Sequence, residues 1–292
     1  MSNQNQTQTK TIVTNIFKSI TIDADELILT KPKKNDKGKV QGSLLHNEIK
    51  KSFYIETPYL IAPFSPSTYN PNNNIPEPEQ NWSLSVKASP GNGDSQENVD
   101  KFFNIFRILE QRVIDWALEN SLLVFGKAYK PEQRSIVEAL LEKKKLIKSS
   151  VDKEGNSYPD RIDFKFSRDE SNKPDVLIFR DTSVPLQVNS FAEIVELIPK
   201  GSAIKAIIHP TLYTMPGGCG IRLRIVQIKL ANNSQKLGKP ITYAFSDPVV
   251  ETNKVELTDD EKNKKVQSND DSNIELSNDA YDSEVEVDEE DV

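Results

Sequence analysis

Residues 198–230, IPKGSAIKAIIHPTLYTMPGGCGIRLRIVQIKL, hold two Ile-rich runs around one tight connection. Residues 204–208 and 221–230 read as strands, because β-branched side chains suit a pleated, half-buried surface. The run Pro216-Gly217-Gly218-Cys219-Gly220 supplies the turn before the long final strand. In that strand Arg222 and Arg224 share a face, and strict alternation puts Lys229 on the opposite one. Lys200 and Lys205 flank the turn at Gly201.

Upstream, residues 161–168 alternate cleanly. Ile162, Phe164 and Phe166 fall on one face, and Arg161, Asp163, Lys165 and Ser167 on the other. Further strands are expected at 175–180 and 193–198. Before these the period changes. Phe102, Phe106, Leu109, Val113 and Trp116 follow the spacing of one helix face, predicting a helix over 98–121. A second helix is expected over 131–147, opened by Pro131 and closed by Lys143, Lys144, Lys145 and Lys148, which suit the negative end of its dipole.

Toward the N-terminus, strands are expected at 11–22, 27–30, 52–61 and 82–87. An exposed basic loop spans 31–42, and a Pro- and Asn-rich stretch without periodicity spans 63–80. No repeat of fixed period is present, which excludes solenoids and propellers. The expected organisation is a disordered leader over 1–9, one mainly β domain with helices over 10–251, and a disordered acidic tail over 252–292.

Charge follows that division. The chain of 292 residues has a formal net charge of −7, but residues 266–292 hold eleven acidic and no basic side chains, leaving +4 on residues 1–265. A basic body tethered to an acidic tail points toward nucleic acid, because Lys and Arg attract phosphate without regard to sequence. The single Cys219 excludes an intrachain disulfide. With only His46 and His209 beside it, no zinc site of ordinary spacing can be written, and both Cys219 and His209 are expected to be structural. No apolar leader and no membrane-length apolar run are present, so a soluble intracellular protein is expected.

Enzymatic motifs are sparse. There is no phosphate loop and no nucleophile elbow. Pro159-Asp160 followed by Asp163-Phe164-Lys165 resembles the carboxylate and lysine elements of metal-dependent nucleases, yet the two lie three residues apart rather than on successive strands. A non-enzymatic protein without metal or cofactor is expected. The binding reading has more support: alternating cations on strands make a track for phosphates, and rings beside them give bases a surface to stack on. The candidate nucleic-acid-binding residues are Arg161, Lys165, Lys200, Lys205, Tyr213, Arg222, Arg224, Lys229 and Trp82, the last open between a stacking ring and a core position, with Tyr54 and Phe64 as further rings.

The order Pro199-Lys200-Gly201-Ser202, Tyr213, the basic strand from Gly220 and the acidic tail resembles the single-stranded DNA-binding proteins of nucleocytoplasmic large DNA viruses. These are distant relatives of the acidic-tailed DNA-binding protein of short-tailed coliphages. Ile55-Glu56-Thr57-Pro58-Tyr59 and Phe125-Gly126-Lys127 add to the likeness. The resemblance implies an OB-like barrel with inserted helices and sequence-independent binding of single-stranded DNA in viral replication, recombination or repair. It also implies a tail that competes for the DNA groove and recruits replication proteins, at a replication site in host cytoplasm or nucleus. The phage tails end in an aromatic residue, whereas this chain ends Glu290-Asp291-Val292. The oligomeric state is open between monomer and homodimer. The alternative function is an acidic-tailed scaffold or histone-chaperone-like protein with a basic protein as partner.

Overall fold

The structure, a computed structural model, describes residues 15–69, 75, 80–180 and 182–231. The expected leader and tail lie outside these residues, as do both ends of the expected domain. In chain order the elements are β1 (Ile16–Lys18), β2 (Leu27–Leu29), β3 (Lys33–Lys34), β4 (Val40–Gln41), β5 (Leu44–His46), β6 (Tyr54–Glu56) and β7 (Leu60–Ile61). Then come β8 (Ser67–Tyr69), β9 (Asn81–Pro90), α1 (Gln96–Glu119), α2 (Ser121–Phe125), α3 (Arg134–Leu141), β10 (Ile147–Val151) and β11 (Ser157–Lys165). The last are β12 (Leu177–Phe179), α4 (Phe191–Leu197), β13 (Ala203–Met215) and β14 (Gly218–Leu230).

Five strands close on themselves in the order β7, β9, β11, β14, β13 and back to β7. Taken as first to fifth along the chain, they run 1-2-3-5-4-1, with the third and fifth parallel and the other neighbours antiparallel. This is a small Greek-key barrel of the OB-like kind expected, filled by side chains. Its interior takes Leu60, Leu84, Val86, Ile162, Phe164, Ile204, Ile208, Leu223 and Ile225, all essentially inaccessible. Strands β8, β10, β12 and the β1–β6 pair extend its edges.

Helix α1 begins where Ser95 accepts a hydrogen bond from the Asn98 amide, and it buries Phe102, Phe103, Phe106, Leu109, Val113 and Trp116 against the barrel. The second helix is shorter than its periodicity suggests. It ends at Leu141 with one tighter turn after it, and the chain then becomes β10. The reason is tertiary: the Glu110 carboxylate accepts the backbone amides of Leu146 and Ile147 and draws the chain into the sheet. Residues 193–198, expected as a strand, lie instead in and just after α4. Ser190 accepts from the Glu193 amide and donates its hydroxyl to the Glu193 carboxylate, a reciprocal cap that outweighs the apolar content. Of the expected first strand only β1 is strand among the described residues, and a tight turn over Ser19–Thr21 follows it. Within the aperiodic stretch 63–80, β8 forms by pairing with β9. Among the described residues no helix is long and apolar enough to cross a membrane.

Candidate nucleic-acid interface

The long β13–β14 ladder places one row of polar and aromatic side chains on the outside of the barrel. Thr211 lies opposite Arg222, His209 opposite Arg224, Ile207 opposite Gln227 and Lys205 opposite Lys229. The ladder does not keep strict alternation. Ile207 pairs with Gln227 and Ile208 with Ile225, so Val226 is an extra residue in β14. The bulge buries both Ile225 and Ile228 and returns Lys229 to the exposed side beside Arg222 and Arg224. The expectation that Lys229 lies on the opposite face is corrected by that single inserted residue.

Neighbouring strands widen the surface. Lys165 of β11 pairs with Arg224 on one side and Ser83 of β9 on the other. The Tyr54 ring of β6 rests 4.8 Å from the His209 ring. Ser83, Lys165, Arg224, His209 and Tyr54 therefore form one line across five adjacent strands, about 19 Å long at the usual strand spacing. On one flank Arg222 sits over the Tyr213 ring, 5.5 Å from its centre. On the other, Lys205, Lys229, Gln227, Glu56, Tyr59 and Phe179 line a groove of about 550 Å³. Lys205 bonds Glu56 at 3.2 Å and stands 5.1 Å from the centre of the Tyr59 ring. Lys200 is exposed in the turn that leads into β13.

Burial, more than the neighbouring charges, sets the proton affinities of these groups. Burial pushes the Lys165 ammonium below its ordinary value; the nearby charges of Lys148 and Arg222 push the same way, and Asp163 opposes them. Burial likewise lowers the His209 imidazole, and the charge of Arg224 adds to it. Burial raises the Tyr213 phenol, with Arg222 opposing. The Cys219 thiol, with no exposed surface, is pushed by burial up to about 12.

Arg161 faces outward farther along β11, beside Lys87, with its guanidinium 5.6 Å from the centre of the exposed Phe64 ring. Trp82 is corrected. It points inward from β9, only 4% exposed, stacked on Phe191 at 4.9 Å and under the Arg168 guanidinium at 3.9 Å, so no base can reach it in this packing. The two candidate nuclease carboxylates are engaged elsewhere: Asp160 with Arg107 and Ser149, Asp163 with Lys148 and Ser85. Among the described residues no group of three or more His, Cys, Asp or Glu is placed to hold a metal ion.

Two members of this surface carry a different reading in the residues alone, and two carry none. His209 was expected to be structural. Lys148 was expected at a helix end, but lies on β10 opposite Arg161. Phe179 and Tyr59 carry no local signal that separates them from core residues. No protein-family model matches the chain, and no curated protein matches its sequence. Among solved structures the chain is similar to the single-stranded DNA-binding protein from bacteriophage Enc34 in complex with single-stranded DNA, at 16% identity and a TM-score of 0.37 over 73% of this chain and 99% of that one. It is also similar to gp2.5, a single-stranded DNA-binding protein encoded by bacteriophage T7, at 12% identity and a TM-score of 0.34 over 64% of this chain and 98% of that one.

Proposed function

We propose that this protein binds single-stranded DNA without sequence preference across the outer face of its barrel. The observation that carries the reading is the line Lys165, Arg224, His209, Tyr54, flanked by Arg222 and Tyr213. Cations set side by side on adjacent strands repel one another in the free protein, and a polyanion lying over them relieves that repulsion while releasing counterions. Rings beside them give unpaired bases a surface to stack on, at about 1–3 kcal/mol per base. A duplex keeps its bases stacked on each other and gains only the charge term, so the arrangement favours single strands.

The role we assign is coating exposed strands in viral DNA replication, recombination or repair, at the replication site in host cytoplasm or nucleus. The order of motifs in the sequence supports it. The acidic excess of residues 266–292 supports a tail that competes with DNA for the cationic face and recruits replication proteins.

The test is a fluorescence titration with oligo-dT against duplex of equal length, on the chain and on its Arg222→Ala/Arg224→Ala variant. Tighter binding to oligo-dT is expected, with a salt dependence that flattens by about one to two units in the variant. Equal affinity for duplex, or an unchanged slope, overturns the proposal. Removing residues 266–292 should tighten binding; unchanged or weaker affinity removes the competitor role of the tail.

A further inference from the structure

We infer that the hairpin formed by β3 and β4 is a second phosphate-binding arm, which takes the same strand after it leaves the barrel face at Tyr213. The inference rests on the reading above and extends it to a part of the molecule outside the ladder.

Residues 31–42 carry Lys31, Lys33, Lys34, Lys37 and Lys39 against one acid, Asp36, a net +4 in twelve positions. All five lysines are exposed, and none makes an ion pair with a described residue. A surface that serves solubility intersperses both signs. Here one sign is gathered on one small element, equal to the whole net charge of residues 1–265.

The segment is built rather than loose. Lys33 pairs with Gln41 and Lys34 with Val40. The Asn35 side chain accepts the amides of Lys37 at 3.1 Å and Lys39 at 2.9 Å, and Gly38 takes a left-handed conformation that a side chain would oppose. Its base is tied to the barrel. Trp116 donates its indole N–H to the Thr30 carbonyl at 2.8 Å, and an added Cβ at Gly42 would meet Leu212 at 2.7 Å and Trp116 at 2.9 Å. The Thr214 hydroxyl donates to the Val40 carbonyl. Thr214 directly follows Tyr213, and its side chain leaves the opposite face of β13, so the lysine arm is anchored from behind at the same end of the strand as the ring that lies beside Arg222. A fixed arm loses less conformational entropy on binding than a free loop of equal charge.

The experiment compares Lys33→Gln/Lys34→Gln/Lys37→Gln/Lys39→Gln with the unaltered full chain on oligo-dT of two lengths. A strand of about 8 nucleotides can sit on one barrel face, and one of about 30 exceeds a single OB site. The expected result is affinity for the long strand reduced about tenfold, with a salt slope lower by about two, and affinity for the short strand within about twofold. Full affinity for the long strand, or equal loss at both lengths, overturns the arm. The Arg222→Ala/Arg224→Ala variant runs in parallel: if it weakens binding and the hairpin variant does not, the arm fails and the barrel-face reading stands. If neither variant weakens binding, the barrel-face reading itself fails. An unchanged melting temperature checks that the exposed substitutions leave the fold intact.

Discussion

Lys165 and Arg224 stand opposite each other in the single pairing that joins β11 to β14, so the barrel closes between two like charges. Such an arrangement costs stability, about 0.2–1 kcal/mol for directly opposed charges on neighbouring strands. It also sets a sign for pH. Because the Lys165 pKa is depressed in the folded state, chiefly by burial, the unfolded chain binds more protons. Its unfavourable contribution is therefore relieved as pH rises from the depressed value toward the ordinary 10.5.

Replacing Lys165 with Met, which keeps the aliphatic stem, is expected to raise the stability of the DNA-free protein by about 0.5 kcal/mol and to weaken oligo-dT binding. Thermal melts and titrations on the same preparation check this. Loss of both stability and affinity would mean that the ammonium supports the fold.

Gly220 pairs with Tyr213, and a Cβ there would come within 2.7 Å of the Tyr213 hydroxyl oxygen and 2.9 Å of its Cζ. Gly220→Ala should push the ring off its place without changing any charge. The expected outcome is a several-fold weaker affinity with the same salt slope, since stacking is lost and phosphate contacts are kept. A flattened slope would show that Arg222 moved as well.

Both ring nitrogens of His209 are buried without a hydrogen-bond partner among the described residues. Arg224 faces the ring from β14, Tyr54 from β6, and Lys165 lies one strand beyond Arg224. With its pKa held below the ordinary 6.5, chiefly by burial, the folded protein binds fewer protons than the unfolded chain. Stability of the free protein is thus lost as pH falls through 6.5 and past the folded value. Bound phosphate reverses the sign by favouring the charged ring. Affinity should rise about three- to tenfold between pH 7.5 and 5.5, and His209→Gln should remove most of that rise. Parallel pH profiles in both proteins would exclude His209.

Trp82 is a packing residue, and its substitutions should behave as such. Trp82→Ala is expected to cost about 3–5 kcal/mol of stability, while Trp82→Phe keeps oligo-dT affinity within about twofold in a chain that stays folded. A folded Trp82→Phe protein that binds about tenfold more weakly would restore Trp82 to the interface.

Much of the architecture was legible locally. The alternation of Ile162, Phe164 and Phe166 and the spacing of Phe102, Phe106, Leu109, Val113 and Trp116 identified one barrel strand and the main helix, because burial on one face imposes a period within a short window. The cap at Ser190 and Glu193 was equally present in the residues and marked α4, although the apolar content of 193–198 pointed to a strand. The shortened second helix carried no such mark, since Glu110, which ends it, lies on another element.

The cations themselves are a property of the chain: Lys165, Arg222 and Arg224 alternate with apolar residues and had to face outward from any strand they formed. Which of them become neighbours is not. That depends on the register that sets Lys165 against Arg224, on the bulge at Val226 that turns Lys229 to the same side, and on the packing that draws Trp82 inward. Periodicity is short-range and can be counted along the chain, whereas lateral contact arises from pairing between distant segments, and one extra residue resets every side chain beyond it.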